Sequence, residues 1–333
     1  MKIFITGIAG FLGSHLADRM LELGHEVAGN DNLVGGYLVN VPKKASFYEI
    51  DCCDLDGMTK AIEGSDVVFH AAAAAHEGLS VFSPSLITRN NFQASVTTMS
   101  AAVQCGVKRF VYCSSMARYG KIDIPYHEYD TPKPNDPYGV SKLAGEEVLK
   151  QLCDTHGMEW NIAVPHNIVG SRQKYDDPFR NVMSIMINRN LQGKPSIIYG
   201  DGLQTRCFSH IDDCVYCLEK LALDPNIVSE IVNIGPDEGI VTIKDLAEII
   251  AEELDFKDPP IFLPDRPREV KHASCSAHKA MDLLDYKQNT DIRKCVRETI
   301  EYIKENGVKE FDYYFPIEII TDKTPTTWKD RIM

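Results

Sequence analysis

Tyr138 and its neighbours are the residues of this chain best suited to proton transfer. Tyr138 and Lys142 lie one turn apart at the start of the helical pattern 136–156, so both side chains project from one face. Ser115 follows the strand pattern Arg109–Cys113, which precedes this helix in the chain. A nearby ammonium favours the phenolate form of a tyrosine, whose reference pKa is about 10. The three residues predict removal of a hydroxyl proton while a hydride leaves the same carbon.

The Tyr-x-x-x-Lys spacing occurs at two other places, and context argues against both. Tyr129 begins one copy, but Pro132 and Pro134 keep that segment out of a helix. Tyr216 begins the other copy on a plausible helix, without a hydroxyl-bearing strand end shortly before it. We therefore predict Tyr138 as the base.

A glycine-rich turn near residue 10 predicts where a dinucleotide binds. Gly7, Gly10 and Gly13 connect the first strand pattern to the first helical pattern, which lets backbone amides approach a pyrophosphate. Asp31 ends the second strand pattern, where a carboxylate can accept hydrogen bonds from ribose hydroxyls. This carboxylate would repel a 2′-phosphate, and no Lys or Arg follows before Lys43. The predicted cofactor is therefore NAD and not NADP.

These residues need a scaffold of alternating strands and helices. Short β-branched runs alternate with longer amphipathic stretches, which is typical of βαβ units. The predicted fold class is α/β, a doubly wound parallel sheet (Rossmann) with a smaller C-terminal α/β substrate lobe. The predicted strands are Lys2–Thr6, Glu26–Asn30, Ser46–Ile50, Asp66–His70, Arg109–Cys113, Trp160–Val164 and Glu230–Ile234. The predicted helices are 11–23, 55–63, 83–104, 136–156 and 212–223.

The alternation becomes irregular after about residue 171, which predicts a division into two lobes. We expect residues 1–170, completed by about 209–235, to form the NAD-binding domain. We expect residues 171–208 and 236–333 to form the lobe that binds the substrate.

Composition and charge narrow the class of protein. The 333 residues are 44% hydrophobic and 25% charged, with a formal net charge of −13, which argues against nucleic-acid or anionic-membrane partners. No apolar run is long enough for a membrane span, so we expect a cytoplasmic protein. The ten cysteines are scattered, and the pair Cys214 and Cys217 lacks a second ligand pair, so we expect reduced thiols and no metal site.

Several longer motifs resemble one known family. The chain resembles the NAD-dependent epimerase/dehydratase branch of the extended short-chain dehydrogenase/reductases over almost its whole length. The motifs are Thr6 to Gly13 (TGIAGFLG), Asp31 to Leu33 (DNL), Phe69 to Ala72 (FHAA), Gly106 to Ser115 (GVKRFVYCSS), Tyr138 to Lys142 (YGVSK), His166 to Gly170 (HNIVG) and Tyr199 to Arg206 (YGDGLQTR).

The resemblance implies roles for further residues, and His76 and Glu77 lie where substrate contacts are expected. By resemblance, the catalytic residues are Ser115, Tyr138 and Lys142. The implied cofactor-binding residues are Gly7, Gly10, Phe11, Leu12, Gly13, Asp31, Asn32, Asp51, Cys52, Ala71, Ala72, Asn91, Tyr138, Lys142 and Pro165. The implied substrate-binding residues are Ser115, Asn167, Arg206, Arg266, Glu269 and Ala273.

The residues after Ser115 limit the reaction. Family dehydratases carry an Asp-Glu pair where this chain has Met116 and Ala117, neither of which transfers protons. GDP-mannose 3,5-epimerases need a Cys at the position of Ala117 and a Lys that Lys174 matches only out of register. The leading interpretation is a 4-epimerase of a UDP-hexose or UDP-N-acetylhexosamine that works through a transient 4-keto sugar.

Other interpretations stay open at this stage. A 3,5-epimerase of a GDP-sugar, a C4 dehydrogenase or reductase, a dehydratase and a non-enzymatic NAD sensor remain alternatives to the 4-epimerase. Ala273 matches the position that gates space beside the sugar C2 in UDP-glucose 4-epimerases, and a small residue there implies acceptance of N-acetylhexosamines. The fold also implies a homodimer through 83–104 and 136–156.

Overall fold

A parallel β-sheet forms the centre of the protein, for which a computed structural model describes residues 1–333. The strands are β1 (Lys2–Thr6), β2 (Glu26–Asp31), β3 (Ser46–Glu49), β4 (Val67–His70), β5 (Arg109–Cys113), β6 (Glu159–Pro165), β7 (Ile168–Val169), β8 (Ile197–Tyr199), β9 (Thr205–Arg206), β10 (Ser209–His210), β11 (Glu230–Ile234), β12 (Val241–Thr242), β13 (Ile261–Leu263) and β14 (His272–Ala273).

Seven of these strands form the main sheet, in the order β11-β6-β5-β4-β1-β2-β3. All neighbours in it are parallel, so the carboxyl ends of the strands meet at one edge. The predicted doubly wound sheet is confirmed, with strand ends within one residue of the predicted ones.

Helices cover both faces of the sheet and build the second part of the molecule. The helices are α1 (Phe11–Glu22), α2 (Leu55–Ile62), α3 (Glu77–Ser80), α4 (Pro84–Thr88), α5 (Ala94–Gln104), α6 (Pro137–His156), α7 (Val182–Leu191), α8 (Ile211–Leu223), α9 (Ile243–Leu254), α10 (His278–Leu284), α11 (Ile292–Asn306) and α12 (Thr326–Lys329).

The stretch predicted as one helix, 83–104, is interrupted. A π-helical turn at Arg89–Gln93 separates α4 from α5. The side-chain amide of Asn91 in this turn donates to the carbonyl oxygens of Ala74 (3.1 Å) and Ile87 (2.9 Å). The wider turn therefore lets a buried polar side chain bind the loop after β4.

The apolar cores explain why these segments fold as they do. Ile3 and Ile5 of β1 face one cluster and Phe4 faces another, so both faces of the strand are buried. A third cluster lies among α7, α9 and α11, whereas Ala280 and Leu284 of α10 join the core of the main sheet. The predicted two-lobe boundaries stay a prediction. No helix combines the length and apolarity needed to cross a membrane.

Candidate active site

The glycine-rich turn after β1 shapes one end of a cleft. Gly7 has a φ of +72°, and a Cβ on Gly13 would overlap the carbonyl oxygen of Gly7. Only glycine permits this turn and this close packing. The first turn of α1 has no acidic residue, so its free backbone amides can receive a pyrophosphate.

The carboxylate of Asp31 lies at the end of β2, beside this turn. It accepts hydrogen bonds from the backbone amides of Ala9 (3.0 Å) and Leu33 (2.8 Å). Burial raises the pKa of Asp31, while backbone amides that donate to it favour the ionised form. The side chain lines the cleft with lone pairs available for ribose hydroxyls, so the residues fit NAD.

One cleft of about 1350 Å³, including its opening to solvent, collects most of the predicted cofactor and catalytic residues. It lies at the carboxyl edge of the sheet, where such folds bind ligands. Asn91 is buried behind the cleft wall. The predicted residues that line the cleft are Gly7, Gly10, Phe11, Leu12, Gly13, Asp31, Asn32, Asp51, Cys52, Ala71, Ala72, Ser115, Tyr138, Lys142 and Pro165.

Helix α6 places Tyr138 and Lys142 in this cleft. Its N-terminus is fixed by Asp136, whose carboxylate accepts a hydrogen bond from the amide of Gly139 at 2.9 Å. The Lys142 ammonium nitrogen is 6.0 Å from the centre of the Tyr138 ring and donates to the carbonyl oxygen of Cys113 at 2.8 Å. The backbone at the end of β5 therefore orients the lysine.

A buried cluster ties the loop after β5 to α6. The Ser114 hydroxyl donates to the carboxylate of Glu146, which also pairs with the Arg118 guanidinium at 2.9 Å. Both charged side chains are almost fully buried. The adjacent Ser115 accepts the Ala117 amide at 3.2 Å. These polar contacts hold the loop that carries Ser115 against the helix that carries Tyr138.

Burial acts on the pKa of both titratable residues. It lowers the pKa of Lys142 to about 8, although Cys113 and Glu146 oppose the shift. It raises the pKa of Tyr138, while a hydrogen bond with Ser115 lowers it. The sequence-based expectation of a lowered tyrosine pKa therefore depends on positive charge beyond that of Lys142, such as an oxidised nicotinamide ring would add.

Two arginines predicted to bind a diphosphate share one carboxylate. Arg266 binds Glu269 through two nitrogens, at 3.2 and 3.0 Å, and Arg206 approaches the same carboxylate at 3.8 Å. Arg266 and Glu269 line a second, wholly polar cavity beside the cleft. Glu77 on α3 lies near these three residues, and the desolvation of its carboxyl group raises its pKa to about 7, although the residue has an exposed surface.

Three predicted substrate residues line neither cavity, namely Asn167, Arg206 and Ala273. The side-chain amide of Asn167 donates to the Cys207 carbonyl oxygen at 2.9 Å. Ala273 is buried in the apolar cluster of one sheet face, with Tyr119 and Tyr126. Ala273 as a gate stays a prediction.

Four cleft-side residues were missed by sequence reasoning about the site or left undecided. Asp177 is fully buried and accepts hydrogen bonds from Tyr314 (2.7 Å), His76 (2.8 Å) and Arg180 (3.2 Å). His76 and Arg180 lower the pKa of Asp177 despite its burial. His76, Arg180 and Tyr314 line the cleft. His76 and Tyr314 lie 101 and 137 positions from Asp177, so no spacing pattern connects them to it.

The other two tyrosine–lysine pairs lie elsewhere. Tyr129 is 81% exposed and stacks on His127. Tyr216 lies on α8, where Lys220 approaches its ring to 5.5 Å. Neither tyrosine lines the cleft that contains Tyr138.

A comparison of the sequence with protein-family models identifies the family of this chain. The sequence model of the NAD dependent epimerase/dehydratase family matches residues 3–235. The chain belongs to this family. Membership in the NAD-dependent epimerase/dehydratase family confirms the predicted extended short-chain dehydrogenase/reductase type, the enzyme class and NAD as the cofactor.

Individual relatives of this family are similar over most of the chain. GDP-mannose 3,5-epimerase of Arabidopsis thaliana is 31% identical, covering 93% of this chain and 84% of its own length. The structure of UDP-glucose 4-epimerase of Thermotoga maritima with UDP-glucose has a TM-score of 0.86 at 29% identity, covering 92% of this chain and 99% of its own. UDP-glucuronic acid 4-epimerase of Bacillus cereus, with UDP-glucuronic acid and NAD, has a TM-score of 0.84 at 28% identity, covering 92% and 100%.

Proposed function

We propose that this protein is an NAD-dependent nucleotide-sugar 4-epimerase that acts on a UDP-hexose or UDP-N-acetylhexosamine. The observation that carries this proposal is the cleft itself. It presents Ser115, Tyr138 and Lys142 beside the dinucleotide site, while Met116 and Ala117 add no proton-transfer group. Oxidation and reduction at one carbon need no more than this set.

Each of the three side chains has a separate task in this proposal. Tyr138 takes the proton of the sugar 4-hydroxyl and later returns it, while Ser115 holds that oxygen by a hydrogen bond. The ammonium of Lys142 favours the tyrosinate. NAD bound in the cleft would accept the hydride of sugar C4 reversibly. The 4-keto sugar has to turn about its diphosphate before the hydride can return to its other face and complete the epimerisation.

The substrate is held through its diphosphate. Arg206 and Arg266 supply planar guanidinium groups that can bind phosphate oxygens in pairs. Glu269 already orients both groups, so little side-chain freedom is lost on binding. We assign 171–208 and 236–333 to nucleotide-sugar binding on this basis.

The dehydratase and the 3,5-epimerase each need a group that this cleft lacks. Dehydration needs an acid and a base where Met116 and Ala117 lie. The 3,5-epimerase chemistry resembled by sequence needs a cysteine at the place of Ala117. Lys174 is buried and paired with Asp176 at 2.9 Å, and it does not line the cleft. A C4 dehydrogenase would differ from an epimerase by releasing reduced cofactor.

A panel assay tests the proposal. The purified protein is incubated with UDP-, GDP-, CDP- and dTDP-sugars without added cofactor, and the products are separated by chromatography. We expect a UDP-hexose or UDP-N-acetylhexosamine to reach equilibrium with its C4 epimer. Product that forms only in proportion to added NAD, with matching NADH release, would replace the epimerase with a C4 dehydrogenase.

A further inference from the structure

A long segment without sheet strands crosses the cleft after α11. We call residues 307–333 the strap. The amide of Ile319 donates to the Phe82 carbonyl oxygen at 2.8 Å, and the Ser83 hydroxyl donates to the Pro316 carbonyl oxygen at 2.8 Å. These bonds attach the strap to the loop between α3 and α4.

Side chains fix the strap at two further places. The Glu318 carboxylate accepts the amides of Ser85 (3.0 Å) and Leu86 (2.7 Å), which lie in the first turn of α4. The indole nitrogen of Trp328, a residue only 2% exposed, donates to the Pro178 carbonyl oxygen at 3.0 Å. The strap is therefore an ordered part of the fold and not a loose end.

The middle of the strap reaches the reacting end of the cleft. Phe315 lines the cleft and packs on the apolar cluster of Ala74, Ile87, Ala117 and Tyr138. The preceding Tyr314 donates its hydroxyl proton to the buried Asp177 carboxylate, so the backbone beside Phe315 is held. An aromatic ring is thus fixed next to the proposed catalytic tyrosine.

We propose that the strap is a wall of the sugar subsite and that Phe315 is a specificity-determining residue that limits the substituents a sugar carries beside Tyr138. This inference rests on the proposed function. A flat aromatic ring offers a surface for the C–H face of a sugar ring and fills space that a larger substituent needs. Removing the ring opens that space without touching the dinucleotide site.

The test compares UDP-hexose with UDP-N-acetylhexosamine. Phe315→Ala should raise the ratio of kcat/KM for the N-acetylated over the plain sugar at least about tenfold, because pocket shape sets such ratios. Phe315→Leu, which keeps more of the packing, should change the ratio in the same direction. NAD affinity should stay within about twofold of the wild-type value.

Ile317→Ala is the matched control. Ile317 of the strap packs on the apolar cluster that contains Phe179 and Trp328, but it does not line the cleft. It should affect both sugars equally. An unchanged ratio in both Phe315 variants, or the same change in the control, would overturn the inference. Calorimetry measures the ratio of the two binding constants without requiring turnover. A wild-type protein that binds both sugars and converts neither would therefore contradict only the proposed function. Failure to bind either sugar contradicts both proposals.

Discussion

The pKa of Tyr138 is subject to opposing influences. Burial raises its pKa, the Ser115 hydrogen bond lowers it, and the charge of Glu77 raises it again. Lys142 is itself easier to deprotonate than a free lysine, since burial lowers its pKa to about 8. The protonation of the pair is therefore sensitive to any charge that enters the cleft.

Replacement of Tyr138 by phenylalanine removes the proposed base without changing the size of the ring. We expect turnover to fall at least about a hundredfold, which is the usual effect of losing an acid/base group, while NAD binding and the melting temperature stay close to wild type. Steady-state kinetics measure the change. Tyr216→Phe, at the same spacing from a lysine on α8, is the control and should keep full activity.

Glu77 predicts a pH dependence of substrate affinity. Its pKa is about 7, so raising the pH through neutrality adds a negative charge beside Arg206 and Arg266. The KM for a diphosphate-linked sugar should therefore rise severalfold between pH 6 and pH 8 (about 1 kcal/mol for a partly screened charge). Glu77→Gln should remove this rise, whereas Glu248→Gln, exposed on α9, should keep it. Parallel pH profiles of KM in wild type and Glu77→Gln would contradict the assignment.

Local sequence patterns predicted the catalytic residues but not the contacts between residues that are far apart in the chain. Tyr138 and Lys142 share one helical turn, so spacing alone places them together. Asp177 and Tyr314 are 137 positions apart in the chain, and no periodicity connects them. Arg180 is only three positions from Asp177, but its role depends on the burial of Asp177, which a local pattern does not reveal.

The strands of the main sheet and the helices that pack on it were predictable because each has its own hydrophobic pattern. The runs Lys2–Thr6 and Arg109–Cys113 are buried on both faces and therefore read as short apolar strands. The strap has no such signal, because its hydrogen bonds reach residues up to 238 positions away. The π turn at Arg89–Gln93 was not predicted either. Its residues are compatible with a continuous helix, and the turn is associated with the contacts of Asn91, which the local sequence does not reveal.

The N-terminus of α6 predicts a coupling between helix capping and catalysis. Asp136→Ala removes the cap of the helix that carries Tyr138 and Lys142, so we expect a loss of about 1 kcal/mol in stability and a lower kcat. Asp136→Asn keeps a good cap and should restore most of both. Thermal melting and steady-state kinetics measure the two effects.

Asp54→Ala provides the comparison for this prediction. Asp54 caps α2 through the amide of Gly57 at 3.1 Å, away from the cleft. This variant should lower the melting temperature and leave kcat unchanged. A similar loss of kcat in both variants would mean that capping acts only through global stability.

The whole molecule combines a strongly acidic chain with a few inward-facing cations. The net charge of −13 discourages anionic partners at the surface. Arg180 nevertheless lines the cleft and Arg266 lines the second cavity, while Arg206 lines neither but approaches the same carboxylate as Arg266. Local charge and not net charge therefore decides which ligand the protein can hold.

For the whole molecule, we predict that two copies of the chain associate. Helices α5 and α6 pack side by side, and Val140 on α6 is 52% exposed. We expect light scattering to give about twice the 37.3 kDa mass of one chain. Val140→Arg should reduce the mass to that of a monomer, because an arginine would be buried without a partner. Val39→Arg, at an exposed valine outside these helices, should not. A monomeric wild-type protein would refute the prediction.

The strap has a consequence for the order in which the site forms during synthesis. The last helix that packs on the core of the main sheet, α10, ends at Leu284, and Phe315 emerges 31 residues later, which is a delay of roughly 2 to 6 s at ordinary translation rates. During this interval the nascent chain can already hold the dinucleotide, while the sugar side of the cleft is open to water. Cofactor loading is thus expected to precede the ability to select a sugar.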